Sequence, residues 1–207
     1  MNNWNYADAV QQKGYIGHLS LVRELYLQSV DGTAILQNRP VDAVQSLFGA
    51  SIFGKQQIVS DGHDYAWPNG AAQACCWIDL TMAPVSGSWP EAISLSVRAG
   101  GGYSTQLGFM PGSGKAFLDR ERCGPIPKEG DAWKARRSVQ CDFTKSVLLS
   151  VFLDAGSIEV FLNNGQSTMS ALLTAPLDAT ALKLAATGGQ VSISQVRIKQ
   201  IATHQTA

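Results

Sequence analysis

The sequence predicts an all-β protein, built as a two-sheet antiparallel β-sandwich. Three observations carry that expectation. Short runs of apolar and β-branched residues recur along nearly all 207 residues, turn clusters rich in Gly and Pro separate them, and helical periodicity is almost absent. Hydrophobic residues make up 45% of the chain, so a sizeable core can form and disorder is not the default.

In chain order, the first strand is expected at 19–27 (LSLVRELYL), and AILQNRPV is a second, shorter extended piece. VDAVQSLFG (41–49) is the one helical turn the pattern allows, with Asp42 as its cap and Gly49 as its end. Strands follow at 55–59, 74–82, 92–99, 104–110, 115–120, 147–153, 157–163, 167–173, 181–185 and 191–199. The clusters SDGHD, AGGG, MPGSG, NNG and TGG punctuate them. Short strands at this spacing argue for a sandwich.

The best-specified element is the hairpin VLLSVFLDAGSIEVFLN (147–163). With Ala155-Gly156 as a two-residue turn, Leu153 faces Ile158, Phe152 faces Glu159 and Val151 faces Val160. Leu149, Val151, Leu153, Ile158, Val160 and Leu162 then share a core face, while Ser150, Phe152, Asp154, Ser157, Glu159 and Phe161 share the other. That second face mixes carboxylates with aromatics. Asp154 and Glu159 become diagonal neighbours with Cβ atoms about 7–8 Å apart. Carboxylates accept hydrogen bonds from adjacent hydroxyls and aromatic faces cover ring C–H groups, so a sugar suits the face. The bland reading is that Glu159 is an exposed strand residue or pairs with an arginine of a neighbouring strand.

Composition excludes several function classes. Lys plus Arg equals Asp plus Glu at 16 each, so nothing pulls the chain toward nucleic acid or an anionic membrane in bulk. KARR (134–137), beside Trp133, reads as a solvated loop. No run approaches the roughly 18 apolar residues of a membrane span, and MNNWNYADAV lacks the pattern of a signal peptide. Of Cys75, Cys76, Cys123 and Cys141, the adjacent pair lies in an apolar strand, so at least one thiol is expected to be buried. A Cys123–Cys141 bridge stays open. No CxxC spacing and no nearby His exist, so no metal and no cofactor are expected. His18, His63 and His204 fall in a strand entry, a loop and a tail, a poor basis for a Ser-His-Asp site.

Six stretches then follow one another in a telling order: NNWNYAD (2–8), GYIGHLSLVRELYL (14–27), LQNRPVDAVQSL (36–47), KAFLDRERCG (115–124), VFLDAGSIEVFLNNG (151–165) and LKLAATGGQVSISQVRI (182–198). Together they resemble the C-terminal part of glycoside hydrolase family 32, the invertases, inulinases, levanases and fructosyltransferases that act on β-fructosides. Val22 stands where the family usually has Pro, and Cys123 where it has Ser. The resemblance implies three segments: 1–30 as the remnant last strand of a β-propeller, 31–54 as a linker with a short helix, and 55–207 as a jelly-roll or concanavalin-like sandwich. The family's Trp-Met-Asn-Asp-Pro, Arg-Asp-Pro and Glu-Cys catalytic motifs are missing from this sequence; Glu121-Arg122-Cys123 lies in a sandwich strand and is not the last of them.

The resemblance implies a non-catalytic domain of a fructan- or sucrose-cleaving enzyme, secreted in many members. A related sandwich, carbohydrate-binding module family 66, binds terminal fructose. On that reading Asp154 and Glu159 hold vicinal hydroxyls, Arg120 donates to a sugar oxygen, and Trp133 or Tyr103 stacks on the ring, with Kd around 10⁻⁴–10⁻³ M. The alternative is a structural domain that stabilises the cognate propeller or builds a homodimer. A third reading makes Asp154 and Glu159 an inverting pair, which needs carboxylates about 6.5–9.5 Å apart, but a hairpin end gives no sign of the burial that raises a general acid's pKa.

Overall fold

The computed structural model describes residues 11–12, 15–16, 18–30, 32–126, 133 and 135–202; NNWNYAD and His204 lie outside them. Strands β1 (Gln11–Gln12) and β2 (Tyr15–Ile16) form a short ladder. Strands β3 (Arg23–Val30) and β4 (Thr33–Pro40) form a hairpin whose register runs from Arg23 opposite Pro40 to Val30 opposite Thr33. Its turn uses Gly32 at φ +78°, a conformation that costs glycine nothing.

VDAVQSLFG holds a 3₁₀ helix, Asp42–Leu47. Its cap is Val41 rather than Asp42, which sits in the first turn, and no side chain caps it. Gly49 does not end the helix: Phe48 already opens strand β5 (Phe48–Phe53), because that segment finds a ladder partner in the far C-terminal strand. Strands β6 (Gln57–Ser60), β7 (Cys76–Pro84), β8 (Ala92–Gly100), β9 (Tyr103–Met110) and β10 (Lys115–Arg122) follow. After them come β11 (Arg137–Gln140), β12 (Val147–Leu153), β13 (Ser157–Leu162), β14 (Ser167–Leu172), β15 (Ala181–Thr187) and β16 (Gln190–Ile201).

These strands make two antiparallel sheets. One has the order β11-β10-β9-β8-β15; the other runs β14-β13-β12-β7-β16-β5, with β6 also paired to β16. Alternation sets the inner faces. Ile93, Leu95 and Val97 of β8, with Leu107 and Phe109 of β9, meet Ile78, Leu80, Val151, Val160 and Ile193 of the other sheet in one buried core. The hairpin β12–β13 has the register its sequence predicts, Leu149 opposite Leu162 through Leu153 opposite Ile158, and its six core-face residues all lie in that core.

Candidate functional site

The outer face of the seven-stranded sheet carries the acidic–aromatic surface. Trp77, Phe152 and Phe161 form a second buried cluster there, against which Leu21, Phe48 and Ile201 pack. Trp77 and Phe161 stack with centroids 5.9 Å apart. Within this setting Glu159 is not an open ligand. It is 1% exposed; its Oε1 accepts the Leu21 backbone N–H at 2.7 Å, and its Oε2 pairs with Arg23 Nη2. Arg23 also donates to Ser170 Oγ at 2.8 Å and lies 4.8 Å above the centre of the Phe161 ring. The bare carboxylate imagined on a sugar-facing sheet is therefore the socket for the segment that precedes the sandwich. A charge this deep needs a partner, and the partner comes from 136 residues upstream.

Asp154 sits at the tight bend and spends Oδ1 on the Ala155 N–H, at 2.8 Å. It borders a depression of about 320 Å³ whose walls include Leu19, Leu21, Phe152, Ser157 and Glu159. Arg120 and Trp133 are placed elsewhere. Trp133 is 1% exposed inside the main core, not a loop platform. Arg120, 3% exposed, donates to Leu172 O at 3.2 Å and lies 4.2 Å over the Trp133 ring. Enclosed this way, neither can touch a solvent-borne ring. Tyr103 is half-buried at the start of β9, paired with Gly100 of β8 in the five-stranded sheet, away from Glu159. The five residues thus divide: Glu159 and Asp154 share one depression, while Arg120, Trp133 and Tyr103 do not join them.

Two hubs were invisible in the sequence. Asp79 accepts from Trp77 Nε1 at 2.5 Å, Ser150 Oγ at 2.7 Å and Arg197 Nη2 at 3.2 Å, with Lys199 Nζ 3.5 Å away. Lys199 reaches on to Gln45 Oε1, tying the 3₁₀ helix to the sheet; burial lowers its pKa, and Asp79 opposes that effect. Arg98, fully buried with φ +48° at a bulge, donates to the carbonyls of Ala74, Asp154, Ala155, Ala175 and Pro176. The only local hint of it is an arginine closing an apolar strand before the AGGG turn.

All four cysteines are free, so Cys123 and Cys141 form no bridge. Arg136 of the KARR run pairs with Asp119 at 2.8 Å and covers the Phe117 ring, while Arg137 opens β11; the run is thus not wholly a solvated loop. Among the described residues no group of three or more His, Cys, Asp or Glu is placed to hold a metal ion, and no helix is long and apolar enough to cross a membrane.

A sandwich whose outer face grips the hairpin before it defines an all-β domain of two antiparallel sheets. The family model described as Glycosyl hydrolases family 32 C terminal matches residues 54–200, and the chain belongs to that family. The extracellular exo-inulinase of Aspergillus awamori is 27% identical over 206 residues, covering 98% of this chain and 38% of that protein. The levanbiose-producing levanase of Bacillus subtilis is 24% identical over 205 residues, again covering 38% of the relative. The chain therefore spans about two fifths of the length of these relatives. A crystal structure of Aspergillus awamori exo-inulinase superposes with a TM-score of 0.79 at 23% identity over 98% of this chain and 39% of that one, a likeness of fold. The β-fructofuranosidase of Schwanniomyces occidentalis gives 0.74 at 15% over 96% of this chain and 43% of its own.

Proposed function

We propose that this chain is the non-catalytic C-terminal sandwich of a fructan-active glycoside hydrolase, and that it seats and stabilises the catalytic propeller through the β3–β4 hairpin. The observation that carries this reading is the Glu159 socket. It fixes Leu21 and Arg23, and so fixes the hairpin that follows them. Asn38 N–H adds a bond to Gly165 O at 2.8 Å. The hairpin is two-faced. Glu24, Tyr26 and Arg39 interact with one another on one face, while Leu25, Leu27 and Leu36 on the other are 65%, 78% and 53% exposed. Exposed leucines held in rigid register form a surface for a hydrophobic partner.

In this role the parent enzyme is secreted, like the fungal relatives named extracellular, and hydrolyses β-fructosides outside the present chain. The test is to mix the chain with the separately expressed upstream part of its parent. A complex that raises the propeller's Tm supports the reading, and Leu27→Asp should weaken it tenfold or more. If no complex forms at about 10 μM of each component, the propeller-seating role fails. The chain alone should then be examined for dimers closing the same leucine face.

A second reading, weak binding of a β-fructoside end, draws on the depression beside Asp154. It assigns Asp154 to the sugar, with Glu159 already spent and Ser157 buried. Retardation of the chain in levan or inulin gels that survives Asp154→Ala would count against it.

A further inference from the structure

A cleft of about 750 Å³ opens on the loops that join β7 to β8, β9 to β10 and β11 to β12. Its wall is Trp89, Pro90, Pro111 and Phe143, and its rim holds the carboxylates of Glu91 and Asp142. The Trp89 ring and the Asp142 carboxylate are fixed by the protein itself. Trp89 donates its indole N–H to Phe143 O at 2.7 Å, and the two rings meet edge to face at 84° with centroids 5.3 Å apart. Asp142 accepts the Thr144 N–H at 2.8 Å, and this bond, with Lys145 nearby, holds its carboxyl below the usual range. The Glu91 stem lies across Gly188, where a Cβ would come within 2.4 Å of it. Gly112 and Gly114 line the cleft without side chains, so a ligand can approach the backbone.

We propose that this cleft binds one end of a neutral oligosaccharide, with a sugar ring lying on the Trp89 face and its hydroxyls donating to Glu91 and Asp142. The polar groups on its rim are chiefly acceptors, and a sugar supplies hydroxyl donors around a C–H face. An organic cation is the competing guest for aromatic rings and carboxylates. Two features disfavour it. The perpendicular rings spend the edge of one on the other, so they do not form a cage, and the volume is several times what a single ammonium group fills. Because the aromatic ring and the Asp142 acceptor are set before the ligand arrives, little ordering cost falls on those two contacts. The site is separate from the hairpin and from Asp154, and it stands if the docking reading fails.

The test is a ¹H–¹⁵N titration of the full chain with an inulin-type oligosaccharide, a levan-type oligosaccharide, a malto-oligosaccharide and tetramethylammonium chloride. At least one sugar is expected to shift the Trp89 indole N–H and the amides of Gly112 and Thr144, saturating with Kd of about 10⁻⁴–10⁻³ M. Trp89→Leu should weaken binding tenfold or more, and Glu91→Gln about three- to tenfold, as for loss of a charged acceptor. If Trp89→Leu does not fold, the wild-type shift map and Glu91→Gln decide. Shifts centred on Ala155–Ser157, shifts with tetramethylammonium alone, or no shift at about 10 mM of any sugar would each overturn the proposal. Propeller complex formation is read separately by Tm, so the two ideas fail independently.

Discussion

Glu159→Ala removes both acceptors that hold the N-terminal segment. The Leu21 N–H is then left unsatisfied in a partly buried place, which costs about 1–3 kcal/mol. Arg23 loses its carboxylate but is 15% exposed and keeps Ser170, so its loss falls short of the roughly 3–5 kcal/mol of a fully buried broken pair. Together these give about 2–5 kcal/mol, equivalent to a drop in Tm of about 4–20 °C for a chain of this size. Differential scanning calorimetry of the wild type, Glu159→Ala, Arg23→Ala and the double variant would read it. A coupling energy of about 1 kcal/mol or more between the two sites is expected. Limited proteolysis should also cut between residues 18 and 30 faster in either single variant. A Tm loss under about 2 °C, or energies that simply add, would refute the claim that this pair clamps the hairpin.

Gly165→Ala should undock the same hairpin through its other strand, at Asn38 of β4. Gly165 holds φ +84°, and a Cβ there would come within 2.3 Å of Asn38 O, backbone that cannot swing aside; a loss of at least about 2 kcal/mol in urea unfolding is expected. Burial pushes the Cys76 and Cys141 thiols up to about 12, so both should resist iodoacetamide at pH 8 while half-buried Cys75 reacts first, as peptide mass spectrometry would show. Asp119 and Asp142 both sit below the usual carboxylate range. For Asp119 burial acts against this, and the Glu121 N–H and Arg136 outweigh it; for Asp142 the Thr144 backbone bond comes first. The folded state therefore binds fewer protons than the unfolded one. The stability they give is present above the ordinary Asp pKa of about 3.9 and is lost as pH falls through their depressed values. Urea titrations at about pH 5 and pH 3 should show that loss, and Asp119→Asn with Asp142→Asn should flatten it.

How much of this was legible in the sequence depended on whether the deciding contact was local. The 149–162 register was readable because strict alternation and the Ala155-Gly156 bend each specify it independently, and a slip of one residue would put Glu159 into the core. The fate of Glu159 was only half readable: pairing with an arginine was one of the two plain readings, but its partner, Arg23, lies on a strand far upstream and nothing in SIEVFL names it. Trp133 misled because its flanks, GDA and KARR, are polar, and a single ring in a polar stretch has no period to betray burial. β5 hid behind the helical look of VDAVQSL, and β11 behind its arginines. Both are edge strands whose pairing is supplied by neighbours, so their own patterns are weak. Arg98 is similar: five carbonyls from three separate stretches converge on it only once the sheets have closed.

The placement of β16 sets a timetable for the whole molecule. It lies between β7 and β5 and also carries β6, so three strands made much earlier wait for it. Arg23 likewise waits for Glu159, 136 residues later, an interval of roughly 7–27 s at the ribosome's pace of about 5–20 residues per second. During that wait the nascent sheet has an unfilled seam flanked by bare hydrogen-bonding edges, which is where a chaperone would be most useful and where two neighbouring chains on one message could exchange strands.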